Sequence, residues 1–208
     1  MQSGNFYHFY NHVNGNENLF VEERNYHFFL QLVTKHILPT SKIFAYTLMP
    51  NHFHLLVQLK TEDELIIQFE QQLKTKKILL GNTNSTFNQQ DFLLKKANKP
   101  YSNLFNSYTQ SFNKVYSRKG SLFMQNMKAQ EITDDNSFCK VVHYVHTNPV
   151  HHRFVKALGI WPHTSYKIFL SNMPTKLERN YVLDMFGGLD QFIKYHEQPI
   201  DPKYKFLE

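Results

Sequence analysis

Two histidines, His52 and His54, occur in a segment with the pattern of a β-strand and could bind one metal ion. Side chains alternate between the two faces of a strand. Residues 51–59 therefore divide into an apolar face and a face with polar groups, the first formed by Phe53, Leu55, Val57 and Leu59 and the second by His52, His54, Leu56 and Gln58. Two imidazoles on one strand face can share a cation and leave coordination positions open. Because His-x-His is common by chance, the spacing alone favours an ordinary strand face.

A second pair of residues that could take part in a reaction lies in residues 138–149, where Tyr144 and Asn148 are four positions apart. On a helix they share one face, about one turn from each other. A tyrosine hydroxyl, with a free pKa near 10, needs activation before it can act as a nucleophile. A divalent ion on a target phosphate supplies it by polarising the P–O bonds. The alternative is a core tyrosine and an asparagine that ends the helix, with the proton acceptor left open among the nearby histidines His143, His146, His151 and His152.

The elements that must position these residues predict an α+β fold. Apolar periodicity and turn residues predict strands at 6–13, 41–49, 51–60 and 121–132, with helices at 22–38 and 101–116. Candidate caps at 133–135 begin a further helix, which Pro149 should end near Asn148. This order fits a ferredoxin-like or RRM-like antiparallel sheet with helices packed on one face.

The domain organisation follows from a change in composition after the third strand. Residues 61–100 are rich in Gln, Asn and Lys and are interpreted as an insertion, with a helix at 65–80 and a loop at 81–90. Residues 1–170 then form the main domain, and residues 171–208 form a C-terminal helical extension.

Charge and aromatic content indicate the class of partner. The net charge of +6 and the aromatic fraction of 15% suit a polyanion with bases that can stack. A basic protein without such a partner fits the charge equally well. Five basic residues are candidates for contact with a phosphate backbone, although each also fits a solvated helix face: Lys95, Lys96, Lys114, Arg118 and Lys119.

The cysteine content and the first residues of the chain bear on its cellular compartment. With the single cysteine Cys139 the chain has no intramolecular disulfide, and the first fifteen residues have no apolar signal core. We therefore expect a cytoplasmic protein that is nucleoid-associated through DNA.

Two blocks together resemble a known family. The first is Met49-Pro50-Asn51-His52-Phe53-His54, and the second is Tyr144 followed at a distance of four by Asn148-Pro149-Val150. In this order, about ninety residues apart, they are similar to the one-tyrosine HUH transposases, and within them to the REP-associated tyrosine transposase branch. That family often has a glycine three residues after the valine, where this chain has Arg153.

The resemblance implies a site and a reaction. His52, His54 and Asn148 would bind Mg²⁺ or Mn²⁺, and Tyr144 would attack a DNA phosphate. The products would be a 5′-phosphotyrosine and a free 3′-hydroxyl that can later reseal or transfer the strand. The expected substrate is single-stranded DNA that folds into a hairpin.

Three functions remain open from the sequence. The first is the transposase-type nuclease, and the second is a DNA-hairpin binding protein on the same scaffold without strand transfer. The third is a metal-dependent phosphohydrolase that uses water, with Tyr144 as a bystander. The sequence also leaves open whether the chain acts as a monomer or as a homodimer.

Overall fold

The chain folds around one antiparallel sheet. The computed structural model describes residues 1–80, 88–125 and 127–201, so the first seven residues of the predicted 81–90 loop lie outside the described residues. The four strands are β1 (Phe6–His12), β2 (Ser41–Met49), β3 (His52–Leu59) and β4 (Lys128–Ile132). The helices are α1 (Glu23–His36), α2 (Glu62–Leu80), α3 (Gln89–Val115), α4 (Asp135–His151), α5 (Tyr166–Phe169), α6 (Arg179–Phe186) and α7 (Leu189–His196).

The strand order across the sheet is β2-β3-β1-β4, and every neighbouring pair is antiparallel. The β1–β3 register places Tyr10 opposite His54 and His12 opposite His52. The predicted α+β fold with an antiparallel sheet is confirmed, because the β-α-β-β-α-β order with this arrangement is ferredoxin-like.

The alternation within β3 separates two cores. Phe53, Leu55, Val57 and Leu59 belong to the larger core, to which α1 and α3 contribute their buried stripes. Leu56 belongs to the second core, with Val141, Val142 and Val145 of α4. Helices thus pack on the predicted apolar face, and α4 with the C-terminal helices also covers part of the opposite face. That second layer brings a helix over the histidines.

Three elements differ in extent from the expectation. Helix α3 starts at Gln89 and continues through Pro100, because a stripe of buried residues outweighs the hydrogen bond that proline removes. Helix α4 is capped by Asp134, whose side chain accepts from the Ser137 amide at 2.9 Å, and it runs past Pro149 to His151. Only the last part of the predicted 121–132 strand is regular, as β4.

The outer edge of β2 is covered by the segment that follows α4. Backbone hydrogen bonds of 2.9 Å join Leu48 N to His163 O, Ser165 N to Tyr46 O and Glu178 N to Ile43 O. Residues beyond 170 also pack on the main body, since Val182 and Phe192 lie in the second core. The separate extension at 171–208 stays a prediction, and 202–208 lie outside the described residues. In the described part of the chain, no helix is both long and apolar enough to cross a bilayer.

Candidate functional site

The predicted metal ligands meet where α4 crosses β3. His52 Nε2 lies 3.1 Å from Asn148 Oδ1, and His54 Nε2 lies 3.2 Å from Asn148 Nδ2. All three side chains are buried. The alternation of β3 places both imidazoles on one face, and the packing of α4 on β2 and β3 brings the amide between them. The structure therefore brings together the three residues that were predicted from the sequence as metal ligands.

The hydrogen bonds behind the imidazoles orient their lone pairs toward Asn148. His52 Nδ1 lies 2.8 Å from Asn51 Oδ1, an acceptor, so the proton of neutral His52 is on Nδ1. His52 Nε2 and Asn148 Oδ1 are then two acceptors facing each other. On the other ring, Nε2 of His54 accepts from Asn148 Nδ2, so Nδ1 carries the proton and donates to His8 Nε2 at 2.9 Å. A cation held between facing acceptors would satisfy both of them.

The donor set fits one divalent ion. The separation of 3.1 Å between His52 Nε2 and Asn148 Oδ1 is close to the spacing of about 3 Å between neighbouring ligands of an octahedral ion with bonds of about 2.1 Å, while His54 Nε2 faces the amide nitrogen of Asn148. In the described part of the chain, no three His, Cys, Asp or Glu side chains group closely enough to hold a metal. The third protein ligand would therefore have to be the Asn148 amide. Two imidazoles favour Mn²⁺ over Mg²⁺, which prefers oxygen.

Burial keeps the imidazoles in the form that a metal requires. It lowers the pKa of His52 to about 3, and the hydrogen bond that protonated His52 would donate to Asn148 only partly opposes this. The pKa of His54 also falls well below its usual value, through burial first and then through neighbouring histidines. Both rings are neutral at pH 7, so the ion would not need to displace a proton from either.

His8 is a functional candidate that the sequence analysis missed. Its ring lies on β1, is fully buried and contacts His54, with a centroid separation of 5.0 Å. Its Nε2 accepts a hydrogen bond from His54 Nδ1 and so keeps the proton of His54 on that nitrogen. The Nδ1 of His8 is buried with no hydrogen-bond partner in the described structure. The sequence pattern that could have identified it is the alternation in β1, where His8, Tyr10 and His12 occupy one face. Only the register with β3 shows which histidines they face.

Replacing His8 with phenylalanine should weaken divalent-metal binding by about 10–100-fold, the usual effect of losing a group that orients a histidine ligand. Phenylalanine keeps the ring contact with Tyr10 but cannot accept the proton of His54 Nδ1. Titration with Mn²⁺ followed by calorimetry measures the change. His36→Phe is the control, because His36 bonds Ser107, a residue of α3, away from the site. Equal affinities for the His8 variant and the wild type would exclude this role.

Tyr144 lies beside the histidines but is not exposed. Its ring packs edge-on against His54 and His8, with centroid separations of 5.4 and 5.8 Å. The exposed fraction of the residue is 0%. In this conformation the hydroxyl is therefore closed to any ligand that approaches from solvent. The sequence left a core tyrosine open as an alternative, and the side chain is buried as that alternative expects.

The histidines near Tyr144 in the sequence point to different places. His146 Nδ1 lies 2.9 Å from His196 Nε2, and its Nε2 lies 2.8 Å from Ser165 Oγ. Both nitrogens of His146 are thus engaged on the side of α4 that faces α7, as is the ring of His143. By contrast, the His152 ring lies 5.1 Å from that of His52. His143 and His146 are therefore poor candidates for the proton acceptor.

Two of the predicted basic residues, Lys95 and Lys96, lie in the N-terminal half of α3, which packs on the other side of the sheet from His52 and His54. Lys95 pairs with Asp91, and Lys96 lies over the Phe92 ring, in the half of α3 that contacts Met1 through Asn98. The structure does not bring these two lysines to the site.

The other three predicted basic residues lie at the C-terminal end of α3 and in the loop beyond it. Met124 N donates to His12 O within that loop. Lys114 and Lys119 are exposed there. Arg118 instead bonds Glu17, Asn113 and the carbonyls of Gly120 and Ser121, which indicates a structural role.

No protein-family model and no curated protein matches this sequence. Among solved structures, the chain is similar to a REP-associated tyrosine transposase bound to a REP hairpin, with a TM-score of 0.55. The match covers 83% of this chain and 84% of that chain, at 15% sequence identity. At this identity the likeness establishes the architecture alone: the chain shares the α+β fold of a tyrosine transposase.

Proposed function

We propose that the protein is a metal-dependent single-strand DNA transposase or nuclease that cleaves and rejoins DNA through Tyr144. The observation that carries the proposal is the convergence of His52 Nε2 and His54 Nε2 on Asn148, with the Tyr144 ring against His54. The transposase of similar fold is bound to a REP hairpin, and a DNA hairpin is the substrate we propose here. The net charge of +6 favours such a polyanion.

His52, His54 and Asn148 would hold the ion, with Mn²⁺ or Mg²⁺ as the cofactor. When bound, it would polarise the P–O bonds of the target phosphate and offset the charge that develops during attack. The protein supplies neutral imidazoles, orients them through Asn51 and His8, and excludes water by burial. These features suit a site with three protein ligands and positions left for a phosphate.

In the proposed reaction the Tyr144 hydroxyl oxygen forms a bond to the phosphorus while the bond from phosphorus to the 3′ oxygen breaks. The phenol gives up its proton and the departing 3′ oxygen gains one, so charge and protons balance. The fragment on the 3′ side of the cut is then linked to Tyr144 through its 5′ phosphate, as a phosphotyrosine. Attack by a 3′-hydroxyl on this linkage reverses the step and reseals or transfers the strand.

A DNA-hairpin binding protein without strand transfer is the second candidate. The complete burial of Tyr144 favours it, because a buried hydroxyl cannot reach DNA in this conformation. The two functions differ in one product, a covalent protein–DNA adduct that survives denaturation. The proposed enzyme forms it, whereas a binding protein does not.

The experiment uses hairpin oligonucleotides with single-stranded flanks, taken from the DNA on both sides of the gene and labelled on the 3′ side. With Mn²⁺, the wild type should give a labelled adduct in a denaturing gel. His54→Ala should abolish the adduct, because one ligand is lost, yet retain most hairpin binding. His54→Gln, which keeps a polar group in this buried position, separates loss of the ion from loss of folding. Full activity of either variant, or of the wild type in excess EDTA, would rule out the metal site.

A further inference from the structure

The loop after α4 lies against the candidate site. At its start, His152 N donates to Asn148 O, and the His152 ring lies 5.1 Å from that of His52. At its far end, Trp161 Nε1 donates to Leu48 O at 2.9 Å, on the strand next to His52. The loop from residue 152 to 161 therefore spans the end of the β2–β3 hairpin where the imidazoles lie.

Arg153 occupies an unfavourable backbone conformation within this loop. Its φ is +61°, in the left-handed region that glycine adopts freely and other residues adopt at a cost. A non-glycine residue in such a position is often retained for its side chain, at a functional site. The Arg153 side chain is exposed, and among the described residues it has no hydrogen bond or ion pair.

The neighbours of Arg153 add a second charge and an aromatic surface. Phe154 is 46% exposed, although its ring packs beside Trp161 at a centroid separation of 5.8 Å. Lys156 is exposed two residues further on. An exposed ring held by a second aromatic residue and flanked by two cations matches the way proteins bind single-stranded nucleic acid, through stacked bases and paired phosphates.

We propose that Arg153, Phe154 and Lys156 form a contact surface for the single-stranded DNA that flanks the hairpin. Arg153 and Lys156 bind phosphates, and Phe154 stacks on an unpaired base. This inference rests on the proposed function and adds the part of the substrate that the loop recognises. The surface would hold the strand beside His52, next to the phosphate to be cut.

The test compares two oligonucleotides in EDTA, where no cleavage occurs: a hairpin with a single-stranded tail of roughly six nucleotides and the same hairpin without it. Fluorescence anisotropy should show that Arg153→Gly weakens binding of the tailed hairpin by about tenfold, the loss of one charge-assisted contact. The slope of log affinity against log salt should fall by about 0.7. Phe154→Ala should weaken the same complex by at least about fivefold. The untailed hairpin should bind all proteins alike.

Arg153→Gly also gives a second readout. Because glycine adopts a positive φ without strain, the melting temperature of the Arg153→Gly variant should equal or exceed that of the wild type. Weaker binding by a protein at least as stable cannot result from misfolding. Ser117→Gly is the matched backbone control, since Ser117 has φ +52°, and it should leave binding unchanged. Lys35→Ala, in the last turn of α1, controls for the loss of one positive charge.

Each outcome bears on one proposal or on both. If the variants bind the tailed hairpin as the wild type does, while the wild type still forms the covalent adduct, the contact surface is wrong and the proposed function stands. If the variants lose affinity equally for both oligonucleotides, the surface does not read the single strand. If the wild type binds neither oligonucleotide, both proposals are wrong.

Discussion

Replacing Tyr144 with phenylalanine should abolish the covalent adduct while folding, metal binding and DNA binding remain. The variant removes one buried oxygen and keeps the ring that packs on His54 and His8. Without this oxygen no bond to phosphorus can form. The measurement is the labelled adduct in a denaturing gel with Mn²⁺, alongside anisotropy for binding and a Mn²⁺ titration.

Tyr108→Phe is the matched control, because Tyr108 is also buried but lies in the core on the opposite side of the sheet. Its hydroxyl donates to Leu19 O at 2.6 Å, so the variant should lose about 1 kcal/mol of stability and keep full activity. If Tyr144→Phe still traps DNA and Tyr108→Phe does not, the nucleophile is on α3 and the assignment is wrong.

Acid should unfold the metal-free protein by about pH 5, because five of the six buried histidines of the described residues have pKa values far below the usual one. Burial lowers the pKa of His8, His52 and His196 to about 3, and that of His54 and His146 well below the usual value. In the unfolded chain each titrates near 6.5. The unfolded state therefore binds more protons than the folded state between pH 6.5 and about 3. The free energy of unfolding decreases as the pH is lowered through this window.

The expected change in the free energy of unfolding with pH is large. Each site contributes about 1.4 kcal/mol per pH unit, so five sites give about 7 kcal/mol per unit below pH 6. This compares with a typical total stability of about 5–15 kcal/mol. Denaturant unfolding in EDTA at several pH values measures the slope. His8→Phe removes one site and should reduce the slope by about one fifth. A free energy of unfolding that is constant from pH 7 to 5 would contradict the prediction.

The sequence predicted the sheet-forming half of the chain well, because local pattern determines it. The alternation in β3 separated Phe53 and Leu55 from His52 and His54 before any contact was known, and the structure places them on opposite faces. The four-residue spacing of Tyr144 and Asn148 likewise placed both toward the histidines.

Long-range packing could not be predicted in the same way. The partnership of His8 with His54 depends on a register between strands 46 residues apart in sequence. The sequence predicted that one helix would start after Pro100 and that another would end before Pro149, but α3 and α4 each continue through the proline because of their buried contacts. The burial of Tyr144 depends on packing around α4, which no spacing encodes.

The covered edge of β2 limits how two copies of the chain could associate. A strand edge with unpaired backbone groups is a template for another strand, yet the β2 edge is bonded to His163, Ser165 and Glu178. Within the described residues, sheet extension across a dimer is left to β4, the other outer strand, which has five residues and includes the charged Lys128 and Glu131. Short, charged edge strands disfavour such pairing. A homodimer of this chain would then have to associate through helices or loops, and the sheet would end at each subunit boundary.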